Sequence, residues 1–140
     1  MLDRINQLLD KPDCGKLVLR LSFSILMLFH GVHKLIGGVG AIQGMLAAYG
    51  LPGFIAYGVF MGEVLMPVLM ILGILTRPAA LIFSVTMIAA LLLAEPQALF
   101  MLEKTGAWGA EGVAVYFFAG IVIALLGSGK YSVMSDPRWR

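Results

Sequence analysis

The chain has 140 residues, of which 60% are hydrophobic and 13% charged, with a formal net charge of +2. Soluble domains hold about 45–50% apolar and about 25% charged residues, so this composition excludes an ordinary soluble domain and marks an integral membrane protein with room for one small bundle. The scattered basic residues exclude a nucleic-acid-binding surface, and the lone Cys14 excludes an internal disulfide or dithiol chemistry within the chain.

Residues 1–16 are polar, but Leu2, Ile5, Leu8 and Leu9 recur at helical spacing. That pattern predicts a short amphipathic helix on the cytoplasmic membrane surface, ended by Pro12. Residues 17–37 form the first expected spanning helix, because a hydrocarbon core needs about 20 apolar residues. This run starts late, spans fully and lacks a small-residue cleavage site, so no cleavable signal peptide is expected. Glycines break the loop that follows, and the weakly apolar residues 41–49 inside it read as an interfacial or re-entrant turn. The second spanning helix is expected at 54–75, with Glu63 near its middle and Pro67 four residues later. Thr76, Arg77 and Pro78 form a tight turn. The third helix is expected at 79–95, interrupted at Glu95-Pro96, and the fourth at 108–127. Residues 17–128 therefore make up one four-helix domain, and 129–140 a cytoplasmic tail.

Lys and Arg in short loops set orientation. Arg4, Lys11, Lys16, Arg77, Lys130, Arg138 and Arg140 fall on one side, against Lys104 and the helix-end Lys34 on the other. The fold class is thus all-α, an integral membrane four-helix bundle with both termini cytoplasmic.

A charge at the centre of a spanning helix costs roughly 2.5–3.5 kcal/mol on insertion scales, so each must face a partner. With a rise of about 1.5 Å per residue, His30, Lys34, Glu63, Glu95 and Glu111 all fall in the outer half, bases on one helix and acids on the others. They are the candidate ligand-binding or proton-relay residues. Tyr57 and Tyr116 are supporting hydroxyls. His33 points roughly 60° away from the face His30 and Lys34 share, and Arg20 reads either as a headgroup anchor at the inner face or as a buried group. Two readings of the cluster compete. One is interhelical pairing that fixes register, worth about 0.6 kcal/mol per hydrogen bond on average. The other is a polar pocket open to the outer face. His30, His33 and Glu63 are too sparse a set to predict a metal or haem centre, and the catalytic residues are unknown.

Several stretches carry a resemblance. Arg20-Leu21, Phe29-His30-Gly31, Lys34-Leu35 and Gly37-Gly38 are similar to the first helix of the DoxX family of small bacterial membrane proteins. Gly50-Leu51-Pro52 resembles its first loop. Glu63, Leu72-Gly73 and Thr76-Arg77 resemble its second helix and turn; Gly109, Glu111, Tyr116, Gly127–Gly129 and Tyr131-Ser132 resemble its last helix and tail. The resemblance implies a multi-pass protein of the bacterial inner membrane. The family is linked to quinone-coupled sulfur oxidation and to membrane oxidoreductase complexes against thiol and oxidative stress. Relatives often carry a histidine near the outer end of the third helix, where this chain has Glu95. The leading expectation is a quinone-interacting or accessory subunit of such a redox system. In it, His30 and Lys34 hydrogen-bond a quinone oxygen or an anionic substrate, and Glu63 exchanges protons or sets the charge on His30. The expected partners are the bilayer, oxidoreductase subunits and further copies of the chain. The alternatives are a small-metabolite or ion transporter, with Arg20 and Arg77 at an inner gate, and a non-enzymatic scaffold for a partner oxidoreductase.

Overall fold

A computed structural model describes residues Met1–Arg140. The chain is helical, with a lone antiparallel bridge between Leu102 and Trp108. Helix α1 spans Leu2–Leu9 and α2 spans Pro12–Gly37. Pro12 begins α2 rather than merely ending α1. At the first helical position its missing N–H costs nothing and its fixed φ suits the helix. Helix α2 therefore starts before the apolar run does, and its 26 residues reach about 39 Å. Helix α3 spans Gly40–Ala48 and α4 Gly53–Leu72. Helix α5 spans Thr76–Ala94, and α6, of 16 residues, spans Glu111–Leu126. Short 3-10 turns at Pro96–Phe100 and Pro137–Trp139 follow α5 and close the tail. Helix α5 stops before the Glu95-Pro96 pair because a residue preceding proline is pushed out of the helical region.

Helices α2, α4 and α5 are each long and apolar enough to cross a bilayer. In the bundle α2 packs against α4 and α6, and α5 against α4 and α6, which leaves α2 and α5 diagonal. The core is Met27, Met66, Met70, Ala79, Ala80, Phe83, Met87 and Ile123. The α5–α6 contact is the most extensive, because small residues let the backbones approach. A side chain at Gly120 would meet the Ala80 carbonyl and the Ser84 hydroxyl, and that hydroxyl donates to the Phe117 carbonyl at 3.0 Å. Large apolar side chains instead point outward, among them Phe29, Val85, Phe118 and Leu125. An apolar exterior around a closely packed α5–α6 contact fits a bilayer.

The end of the bundle that carries both termini is tied shut. The Arg20 side chain, only 1% exposed, turns inward rather than out to solvent. It donates to the Ser128 carbonyl at 2.7 Å and to the Tyr131 carbonyl. The Ser132 hydroxyl donates to the Gly73 carbonyl at 2.8 Å, and the Leu75 N–H to the Trp139 carbonyl at 2.8 Å. Arg77 caps α6 by donating to the carbonyls of Ala124 and Leu125 at 2.7 and 2.8 Å. Both basic residues are thus held by backbone carbonyls: those of the last turn of α6 for Arg77, which a helix C-terminus leaves unpaired, and those of the tail beyond it for Arg20.

Candidate functional site

Helix α4 is broken in a way that positions one carboxylate. It opens as a 3-10 turn over Gly53–Gly58, widens to a π turn over Met61–Leu65 and becomes α-helical at Met66–Leu72. The widening has a local cause. Pro67 has no N–H to give to the carbonyl four residues before it, which is that of Glu63. A π turn relieves the mismatch, and such turns are found frequently at functional sites.

Two glycines then bring the neighbouring helices against this turn. A side chain at Gly31 would collide with the Glu63 carbonyl and with Val64. Only glycine allows α2 that close. A side chain at Gly62 would collide with Thr86 of α5. One turn beyond Gly31, Lys34 Nζ donates to both carboxylate oxygens of Glu63, at 2.5 and 2.6 Å. The Glu63 side chain is 4% exposed and that of Lys34 29%.

The pair closes one side of a cavity of about 1100 Å³. Its walls come from α3, the first half of α4, and α5, through residues such as Met45, Leu46, Val59, Val85, Ala89 and Leu93. Lys34 and Glu63 are the charged residues lining it. Thr86 also lines it, with its hydroxyl already donating to the Ile82 carbonyl at 2.9 Å. Leu81, Ile82, Val85 and Leu92 line the cavity and are exposed, so it opens sideways along α5, and the exposed Tyr49 and Leu51 extend the opening to the loop after α3. A ligand pocket is usually about 300–1,000 Å³, mostly apolar, with a few fixed polar groups. This one has room for a polar head and part of a long apolar tail.

The outer-half cluster anticipated from depth divides into separate environments. Lys34 and Glu63 meet. His30 lies exposed about 40° round α2 from Lys34, edge-on to Tyr116 with ring centroids 6.2 Å apart. Tyr116 also packs on Phe23 and Phe83, so it belongs to an aromatic cluster and not to the cavity. His33 is exposed. Glu95 is exposed at the end of α5, and Glu111 is exposed as the first residue of α6, which contributes no residue to the cavity wall. Tyr57 is exposed beside Phe60. Arg20 sits at the termini end. No three His, Cys, Asp or Glu side chains converge closely enough to hold a metal ion. Thr86 and the α3 wall were not singled out from the sequence, nor was the role of Gly31. The spacing of Glu63 and Pro67 was the available signal for the broken helix.

These features define an all-α membrane bundle with a laterally open apolar cavity headed by an ion pair. The chain belongs to the DoxX family: that family's model matches residues 15–96, which run from the first turns of α2 through α5 and include both the pair and the cavity walls. It is also similar to the curated protein named "Putative oxidoreductase CatD" of Bacillus subtilis (strain 168). The two are 33% identical over 116 residues, which cover 83% of this chain and 81% of that protein. No solved structure matches the chain.

Proposed function

We propose that this protein resides in the bacterial inner membrane with both termini in the cytoplasm. There it serves as a quinone-interacting, accessory subunit of a membrane redox system that handles reduced sulfur or oxidative stress. One observation carries the reading: the cavity of about 1100 Å³ opens towards lipid along α5 and ends at the Lys34–Glu63 pair. A quinone has a polar carbonyl head and a long apolar tail, and the cavity offers one polar end and apolar walls. An ammonium carries three N–H donors. Two are used by Glu63, and the third is free to bind a carbonyl oxygen. The oxidoreductase name of the Bacillus subtilis relative supports a redox setting. The closed termini end, with Arg20 held under Ser128 and Tyr131, favours lateral exchange of a lipid-like ligand over passage through the bundle. The distribution of Lys and Arg among the loops supports the orientation.

The test is extraction of the protein from bacterial membranes in mild detergent, followed by chromatography of the organic extract. Near-stoichiometric quinone is expected with the wild type, and a loss of it with Lys34→Met. A preparation that holds no quinone, and that takes up none when a short-tailed quinone is added, would sink the proposal.

A further inference from the structure

A site that opens into a bilayer meets every amphiphile the bilayer contains, and many of these, such as fatty acids and acidic phospholipids, are anionic. An isolated lysine in an apolar cavity would collect them. Lys34 is not isolated. We infer that Glu63 is a specificity-determining residue, which restricts the cavity to amphiphiles whose head is a neutral hydrogen-bond acceptor. The inference rests on the reading of this cavity as a ligand site.

The geometry assigns the roles. Both carboxylate oxygens of Glu63 are engaged by Nζ of Lys34, at 2.5 and 2.6 Å. What faces the cavity is therefore the remaining N–H of a group whose charge is already cancelled. Both residues line the cavity, but Lys34, at 29% side-chain exposure, is the more reachable, and Glu63, at 4%, is nearly closed off. A carbonyl oxygen accepts the free N–H without disturbing the pair. A carboxylate or phosphate head brings a second negative charge beside the first, inside walls that are mostly apolar. A charge so placed is neither solvated nor paired, which is the costly case. Like charges set against each other weaken binding by a factor of ten or more, which is about 1.4 kcal/mol or above.

Nothing else in the cavity offsets this. Thr86 has committed its proton to the Ile82 carbonyl, and Tyr49 lines the exposed rim. Nor can Glu63 readily move aside, because its backbone is clamped in the π turn between Gly31 and the Thr86 contact. Specificity built from a repulsive element beside an attractive one is the general device for rejecting close competitors.

Methyl dodecanoate and dodecanoate test the idea, since they share a tail and differ in the charge of the head. Binding of each to the full-length protein is measured by native mass spectrometry from detergent micelles, at an alkaline pH where dodecanoate is ionised. The wild type is expected to prefer the ester by about tenfold or more. Glu63→Gln keeps the shape and removes the negative charge, so dodecanoate should gain about tenfold against the ester. Equal binding of ester and acid by the wild type overturns the inference, and this arm needs no variant to fold. An unchanged ratio in a folded Glu63→Gln protein also overturns it. A short-tailed quinone, run in parallel, separates the two proposals. If the ester is selected and the quinone is not bound, the selectivity stands and the quinone reading fails. If no amphiphile binds, both fail.

Discussion

Removing Lys34 should expose what the pair does for the fold. Lys34→Met keeps a flexible apolar stem of similar length and leaves the Glu63 carboxylate, 4% exposed, without a partner. Breaking a buried pair from one side costs roughly 3–5 kcal/mol, whereas replacing both members with apolar groups is often neutral. The partial exposure of Lys34 lowers the loss, because water already reaches part of the pair. Lys34→Met should therefore lose about 2–3 kcal/mol at neutral pH. The double variant Lys34→Met, Glu63→Leu should recover most of the loss. Reversible unfolding in mixed micelles, followed by circular dichroism, reads both. The reasoning is refuted if the single variant is as stable as the wild type, or if the double variant is the less stable of the two.

Three further outcomes follow from other parts of the molecule. Gly31→Val should force α2 away from the Glu63 carbonyl, at about 1–3 kcal/mol for overpacking; a melt within error of wild type would show that the close approach is not needed. Deleting residues 131–140 takes from the buried Arg20 one of its two carbonyl acceptors, and hydrogen bonds to charged groups are worth about 1.5–3 kcal/mol each. The truncated protein should melt lower and aggregate sooner in detergent, and unchanged melting would argue against the tail as a closure. Outside the membrane, Arg138 holds the Asp136 carboxyl below its ordinary range, first through its side chain and then through its N–H. A depressed carboxyl adds stability above its unfolded pKa and loses it as pH falls through the folded one. The turn at Pro137–Trp139 should accordingly loosen only in acid, seen as a change in Trp139 emission that Asp136→Asn abolishes.

Hydropathy made the long helices legible, because only a run of about 20 apolar residues matches a bilayer. It also made Lys34 and Glu63 legible, since two opposite charges at one depth in such helices need one another. Depth alone could not say which way each helix is turned about its axis. His30 and Lys34 are four residues apart, about 40° of helix rotation. That difference, with the tilt of α2, sends Lys34 to α4 and His30 to Tyr116 of α6. Glu95 and Glu111 sit at helix ends, where water can reach them, so they need no partner inside the bundle. The rotations are set by close approaches at Gly31, Gly62 and Gly120. A glycine in an apolar run does not announce which neighbour it admits.

The break in α4 ties these details to function. In hydrocarbon every backbone polar group must be satisfied inside the protein, so an interrupted helix is tolerated only where it is buried or lines a cavity. The π turn at Met61–Leu65 meets both conditions: Gly62 and Glu63 are buried, and Glu63 lines the cavity. Clamped by α2 on one side and by α5 on the other, the turn holds the carboxylate in place. Helix α3, by contrast, is held by a small cluster of Val39, Leu46 and Ala56, between Gly38 and Gly50, both at positive φ. On the proposed reading, the clamped turn stands where the head of a ligand would sit, and the α3 wall lies along the path of its tail. That division suits a ligand recognised by its head and exchanged through the membrane.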